Sequence, residues 1–556
     1  MNDDTTAAHG SGGLDPPSNG TNRKYPRSRN EIIFDTTTKY ISFRKENPIH
    51  RSKIEAELIS LINSEIDLEN ELLEKGKKHR RLTELPHSVV AKLLVELDGV
   101  VNITFTDDVT SQSFLFAAYV EEGSEKGIYR TDAEYIEALA KDYDFCMGEK
   151  KMKDVFSELR KYSPKVHPCK DPNLVAVNNG IFDFKAKKLL PFSPDMVFTR
   201  KSRVDYVVGA TNPTLHNDDD NTDWDFDTWL SELSDDPEVV NLLWELLGAI
   251  IRPNVRWDKA VFLVGADGCN GKGTFCELLR ALCGEGCYTP LKIKDFEKEF
   301  MLEPLIWSMA VIADENDVGS SYMEHAANFK CAVTGDKMLL NRKFKTPVTF
   351  VFSGLVVECL NELSFRLKDK SNSFYRRQLL VPFEKTFLKT DRKYIKQDYM
   401  HDKRVLEYIL FKTLNMNFSK LSEPQVSLKL LDDFKVANDP VRQFLDEMLP
   451  QFTWDLLPYR FLYDLYREWM RINCPSGSPE SKLTFTKNVN SLLKNDAVWE
   501  PRYNQAITTG RKMDAPEPLI ARYQLKDWYN PLYHGTDPDK IGNPDLRVSY
   551  KGIRRR

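Results

Sequence analysis

The chain lacks the marks of several protein classes. Its nine cysteines are scattered with no CxxC pair, and its nine histidines sit near none of them at metal-ligand spacing. That pattern excludes a disulfide scaffold and a structural zinc module, and it points to a reducing compartment. No apolar run is long enough to span a bilayer; LLWELLGAII, among the longest, is broken by Glu245. The opening MNDDTTAAHGSGG has no charged-then-apolar signal, so a soluble, cytoplasmic protein with no membrane partner is expected. Positive charge is not in excess either. A net charge of −5 and a pI near 6.1 exclude a histone-like binder and confine nucleic-acid contact to local basic patches. No repeat of fixed period is present.

At 556 residues, with 41% hydrophobic side chains, the chain has room for about three or four domains with real cores. Residues 1–30, rich in Gly, Ser, Asn, Asp and Pro, read as a disordered tail. Residues 31–84 read as a helical N-terminal segment, in which Ile54, Leu58, Leu61, Ile62, Ile66, Leu72 and Leu73 recur at helical spacing. The KGKKHRR that follows, residues 75–81, reads as a solvated helix end. Residues 85–225 form a mixed α+β domain. It contains LVAVNNGIFDF (174–184), whose Asn179-Gly180 pair signals a tight turn. The acidic HNDDDNTDWDFD (216–227) reads as a linker or exposed turn. A core domain is expected over 226–390 and a helical connector over 391–440. A winged-helix-like domain with a basic tail is expected over 441–556, where two amphipathic helices precede a hairpin with Arg511 and Lys512 near its tip.

The chemistry is concentrated in VFLVGADGCNGKGTF, residues 261–275. Four apolar residues suit a buried parallel strand. The loop Gly265, Ala266, Asp267, Gly268, Cys269, Asn270, Gly271, Lys272, Gly273, Thr274 then reads as a phosphate cradle. Its glycines let backbone N–H groups curl around a polyphosphate, Lys272 reaches the β and γ phosphates, and a helix N-terminus faces them. The strict pattern GxxxxGK[ST] would place glycine at Ala266 and a hydroxyl at Gly273. Gly265 is one residue early and Thr274 one late, which leaves open a one-residue bulge and a metal held by Thr274 or through waters.

A second apolar run, in SMAVIADEND (308–317), ends in two carboxylates. At a strand's carboxyl end Asp314 can hold Mg²⁺ through a water and Glu315 can polarise the attacking water. Asp314 follows Lys272 by 42 residues, room for one helix and one further strand. A third run, TFVFSGLVVECLNE (349–362), ends near Asn361, an amide able to orient water and sense the γ phosphate. SFYRRQLLVPF (373–383) sets Arg376 and Arg377 before one more strand, as suits a finger inserted into a neighbouring subunit's site. Between these runs, two β-prone arms flank Asn341, Arg342, Lys343, Phe344 and Lys345. Cations and an aromatic at that tip suit contact with DNA phosphate and sugar or base.

Taken in order, these segments resemble the superfamily 3 helicases of viruses, phages and plasmids, which are AAA+ ATPases. Within them the chain is most similar to the helicase part of phage and poxvirus primase-helicases. NGKGTF (270–275) matches motif A and ADE (313–315) motif B. Lys330, TGD (334–336) and NRKFK (341–345) match the intermediate motif, Asn361 is the sensor of motif C, and Arg376-Arg377 before VPF matches the terminal pair. The ordered match covers residues 261–385, and the stretch from about 90 to 250 is similar to the domain that precedes the motor.

The resemblance implies an α/β fold: a P-loop AAA+ sheet flanked by helices, preceded by the α+β domain and followed by the winged-helix-like one. It implies a homo-hexamer that hydrolyses ATP with Mg²⁺ on Asp314 and Thr274, uses Arg377 as the finger, and moves the Lys343-Phe344 hairpin along DNA, 3′ to 5′. About 85 residues precede the matching region and hold no acidic triad, so a helicase or replication initiator working with a separate primase or polymerase is expected. Two other readings stay open: a nucleotide-switched origin-binding ATPase without unwinding, and a P-loop nucleotide kinase, since GKGT also occurs there.

Overall fold

The computed structural model describes residues 25–106, 113–265, 268–314, 322–323, 326–343, 345–361, 366–367, 372–387, 392–473 and 479–556. The expected disordered tail therefore lies almost wholly outside the described residues. The chain divides into two compact units: residues 1–168 with 194–199, and residues 169–193 with 200–556. The division runs through the segment 85–225 that the sequence treats as one domain.

In the first unit, helix Arg29–Glu46 opens with a capping box. The Ser28 hydroxyl accepts from the Glu31 N–H, and the Glu31 carboxylate accepts from the Ser28 N–H at 2.7 Å. Such a cap stabilises a helix by about 1 kcal/mol. Helix Ile54–Glu71 buries Ile54, Leu58, Ile62 and Ile66, the spacing the sequence announces. Both helices share a core with helices His87–Glu96, Ala133–Tyr143 and Glu149–Tyr162. A four-stranded sheet runs in the order Tyr129–Arg130, Leu115–Tyr119, Val101–Ile103, Lys165–Val166, with only the last pair parallel.

The second unit is built on a five-stranded, wholly parallel sheet. In chain order its strands are Ala260–Val264, Tyr288–Thr289, Ala310–Ala313, Leu355–Leu360 and Gln378–Pro382. Across the sheet they lie second, third, fourth, first, fifth. The first strand thus sits between the fourth and the fifth. Successive side chains point to opposite faces. Val261 and Leu263 join a core with Phe275, Leu278 and Leu279 of helix Lys272–Cys283 and with helices Pro237–Ile250 and Lys403–Asn415. Phe262 takes the other face, its ring 6.4 Å from that of Phe329. Burial on both faces is why these strands read as unbroken apolar runs. The expected α/β class holds.

Three local expectations need correction. The hairpin at 174–184 is present, but Val177 pairs with Gly180, so its turn is Asn178-Asn179 and not Asn179-Gly180. Gly180 is there for a packing reason: a Cβ on it would lie 2.5 Å from the Leu190 carbonyl oxygen on the third strand of that meander. Of the two readings of the acidic stretch, the exposed turn holds and the linker does not. Thr214–Asn217 and Thr222–Asp225 form a hairpin whose Leu215 and Trp224 are buried, and Asp225 caps the next helix. The carboxylates occupy its turn and outer face.

The third correction concerns the C-terminal region. Helices Tyr459–Asn473 and Lys482–Leu492 form as expected. The strand after them, Trp499–Thr508, pairs with Ser549–Arg555 and not with the residues immediately following. Residues 509–548 leave the sheet between the two, so Arg511 and Lys512 lie on a 3-10 turn inside this excursion and not at a hairpin tip. Pro516, Pro518, Pro531, Pro538 and Pro544 within it remove the N–H groups that a long paired strand would need. Among the described residues no helix is long and apolar enough to cross a membrane.

Gly354 sets the spacing of the parallel sheet, since a methyl group there would collide with the Met309 carbonyl that precedes the third strand. Gly354→Ala is expected to destabilise the protein by about 2 kcal/mol or more. Urea unfolding that leaves the midpoint unchanged would show that the strands tolerate the wedge.

Candidate functional site: a phosphate loop at a sheet edge

The first strand is buried at all five positions, and its last residue pairs with Leu360 on one side and Pro382 on the other. The chain leaving it must therefore emerge mid-sheet, where the strand order reverses and α/β proteins form ligand crevices. Gly265 donates its N–H to the Leu360 carbonyl at 3.1 Å, fixing the loop's start beside Asn361. Only glycine fits: a Cβ would lie 2.5 Å from both the Phe383 carbonyl oxygen and the Asn270 amide nitrogen.

Cys269 (φ 57°) and Gly271 (φ 88°) are both left-handed, and they curl the loop back on itself. The Cys269 carbonyl accepts from the Phe387 N–H at 2.9 Å, and the Asn270 amide oxygen accepts from the Lys272 N–H at 3.3 Å. Gly271 then starts helix Lys272–Cys283 with no side-chain cap, which leaves the first-turn N–H groups facing the loop for an anion. Gly268 is exposed, and Ala266 and Asp267 lie outside the described residues.

Lys272 is 6% exposed, and its ammonium donates to the Gly265 carbonyl across the loop. Burial holds its pKa below the usual lysine value, so a polyanion would restore favourable solvation to its charge. Thr274 is half-buried in the same first turn. Gly273 supplies what its missing hydroxyl does not, namely room. The point where a Cβ would stand lies 3.5 Å from the ammonium of Lys396, on the short helix Lys393–Gln397. Lys396 is a second cation at the loop that the sequence reading missed. No motif marks it, because its proximity depends on how the chain returns after the fifth strand.

The third strand is buried throughout and delivers Asp314 to the same edge of the sheet. Its carboxylate forms an ion pair with Arg280, two turns along the helix that begins at Lys272. Arg280 also pairs with Glu277 at 3.1 Å, and Glu277 with His401 at 3.1 Å. Arg280 is likewise absent from the sequence reading. Asp314 and Thr274 present hard oxygen donors of the kind Mg²⁺ prefers. Glu315 lies outside the described residues. Asn361 is exposed directly after the fourth strand.

Arg376 and Arg377 sit at the opposite edge. They precede the fifth strand, and the Arg377 carbonyl accepts from the N–H of Ala260, where the first strand begins, at 2.6 Å. The two guanidinium groups differ. That of Arg377 folds back on the carbonyl and hydroxyl of Ser373, whereas Arg376 is exposed and forms no ion pair among the described residues.

The basic hairpin is present as strands Lys337–Arg342 and Lys345–Val351, with Met338, Leu340, Val348 and Phe350 buried at its base. Lys343 and Lys345 are exposed near the tip. Arg342 instead turns its guanidinium onto the Thr346 carbonyl at 2.9 Å, and burial lowers its pKa. Asn341 donates to Glu299 at 3.1 Å. Phe344 lies outside the described residues. Among the described residues no three His, Cys, Asp or Glu side chains converge as a metal cage.

Three family models match the chain in succession. Residues 105–235 match the family described as D5 N terminal like, 263–377 a family of unknown function (DUF5906), and 437–529 the family described as poxvirus D5 protein-like. The DUF5906 match spans the loop, both acidic and amide strand ends and the arginine pair. No curated protein matches the chain significantly.

Among solved structures, the apo A form of the NrS-1 C-terminal region aligns at 12% identity over 76% of this chain and 97% of that one, with a TM-score of 0.43. A second A-form apo structure of that region (305–718) aligns at 11% identity over the same shares, with a TM-score of 0.42. Two segments of the chain are thus similar to the D5 N-terminal-like and poxvirus D5-like families.

Proposed function

We propose that the protein is an ATP-hydrolysing DNA helicase or replication initiator of the superfamily 3, AAA+ kind, working as a homo-hexameric ring beside a separate primase or polymerase. One observation carries the reading. Lys272, Asp314 and Asn361 leave three different strands at one edge of a single parallel sheet, while the arginine pair stands at the other edge. Strands of four to six residues separate those edges by roughly 15 Å. That is farther than an arginine side chain reaches. That separation supports a role for the pair at a phosphate site on another copy of the chain, as in a ring of ATPases.

In this mechanism the loop N–H groups and Lys272 bind the triphosphate, and Lys396 adds a second cation at the helix start. Asp314 and Thr274 would hold Mg²⁺, which when bound would supply positive charge against the triphosphate. Glu315 orients the attacking water as general base, and Asn361 senses the γ phosphate. Exposure favours Arg376 over Arg377 as the group presented to the neighbour, with Arg377 bracing the turn that carries it. The hairpin's Lys343 and Lys345 track the DNA backbone. In the C-terminal region, helix Pro440–Met448, strand Leu456–Pro458, two helices and two further strands run in winged-helix order, with the last strand central. That order supports a contact with duplex DNA there.

Lys272→Ala should abolish ATP turnover and the unwinding of a forked duplex; hydrolysis at the parental rate in a coupled assay would dismiss the loop assignment. Mixing Lys272→Ala with Arg376→Ala chains should recover part of the ATPase that each lacks alone, because some interfaces then pair an intact loop with an intact arginine. No recovery at any mixing ratio would rule out a shared site. Lys343→Ala should keep ATPase within about twofold yet lose strand displacement, since one backbone contact in a moving element is removed. Unimpaired unwinding would remove the hairpin from the mechanism.

A further inference from the structure

The excursion at residues 509–548 builds something that the motor does not use. It encloses a cleft of about 850 Å³ against the first turn of helix Lys482–Leu492 and the strands Trp499–Thr508 and Ser549–Arg555. Its floor is rigid. Trp528, from the excursion, donates its indole N–H to Asp464 at 3.0 Å and packs edge-on to Phe461 at 5.2 Å, inside the C-terminal core. Tyr459, beside it, is buried and donates its hydroxyl to Asn490 at 2.5 Å. From this floor two rings rise toward solvent. Tyr503 is 46% exposed with its ring 6.3 Å from that of Tyr459, and Tyr550 stands 6.2 Å from Trp528.

The rim carries more positive than negative charge. Arg460 spends its charge on Asp464 and Asp527, at 3.7 and 3.2 Å. Lys482, Arg547 and Lys551 are exposed and form no ion pair among the described residues, and they face a single remaining carboxylate, Asp545. A surplus of cations over carboxylates beside the exposed face of Tyr503 fits a ligand that alternates anionic groups with flat π-systems. A single nucleic-acid strand has that composition. A duplex does not offer it, because its base faces are stacked inside. The volume falls within the range of roughly 300–1,000 Å³ typical of small-ligand sites, room for about one or two nucleotides.

We propose that this cleft binds unpaired nucleotides of single-stranded DNA, with Tyr503 stacking on a base and Lys482, Arg547 and Lys551 pairing with the flanking phosphates. The proposal rests on none of the motor chemistry and survives if the chain unwinds nothing.

The test uses the full chain carrying Lys343→Ala, so that the hairpin contributes equally in every comparison, and reads anisotropy of a labelled oligo-dT and of a blunt duplex. Tyr503→Ala should weaken oligo-dT binding about 5- to 100-fold, and Tyr503→Phe should retain it because the ring face is kept. Arg547→Ala and Lys551→Ala should each reduce the salt slope for oligo-dT by about 0.7. Blunt-duplex binding should not respond to Tyr503→Ala.

Unchanged oligo-dT affinity in Tyr503→Ala and Lys551→Ala would overturn the proposal. An equal loss on both DNAs would reassign the cleft to duplex docking. Tyr503-dependent capture of a proline-rich peptide, with oligo-dT binding intact, would reassign it to a protein partner.

Discussion

The second unit depends on the parallel pairing of Ala260–Val264 between Leu355–Leu360 and Gln378–Pro382. Hydrogen-bonded on both sides and covered on both faces, this strand has no freedom to shift register. A slip of one residue would turn Phe262 toward the helices and Val261 and Leu263 toward Phe329. Everything chemical follows from that fixity. The loop must leave at mid-sheet, the third and fourth strands must end beside it, and the chain entering the fifth strand must do so at the far edge.

Much of this geometry was legible in the residues. The apolar runs that end in Gly265, Asp314 and Asn361 announced buried parallel strands, because a strand covered on both faces cannot alternate. The 42 residues between Lys272 and Asp314 hold one helix and one strand, as their number suggested. The hairpin at 337–351 was legible from β-prone arms flanking a polar tip.

What escaped was of another kind. Lys396 comes to the loop as the chain returns after the fifth strand, and Arg280 meets Asp314 only because the third strand ends beside its helix, with no local pattern to mark either. That Arg377 folds onto Ser373 while Arg376 stays exposed rests on a few ångströms of local geometry. The acidic stretch at 216–227 looked like a linker because its carboxylates outnumber its core residues. Yet Leu215 and Trp224 alone suffice to anchor a short hairpin. At the C-terminus, adjacency in sequence suggested a simple hairpin where the partner strand lies some forty residues on.

The ion pair between Arg280 and Asp314 has a mechanical meaning. Arg280 belongs to the helix whose first turn faces the phosphate loop, so the acid's counter-charge and the loop's anion-facing amides ride on one rigid rod. The pairing ties the end of the third strand to that rod two turns beyond the loop. Through Glu277 and His401 the same set of contacts reaches the chain beyond the fifth strand. The third strand's end, the helix behind the loop and the returning chain are thereby fastened together by one run of charged and polar side chains.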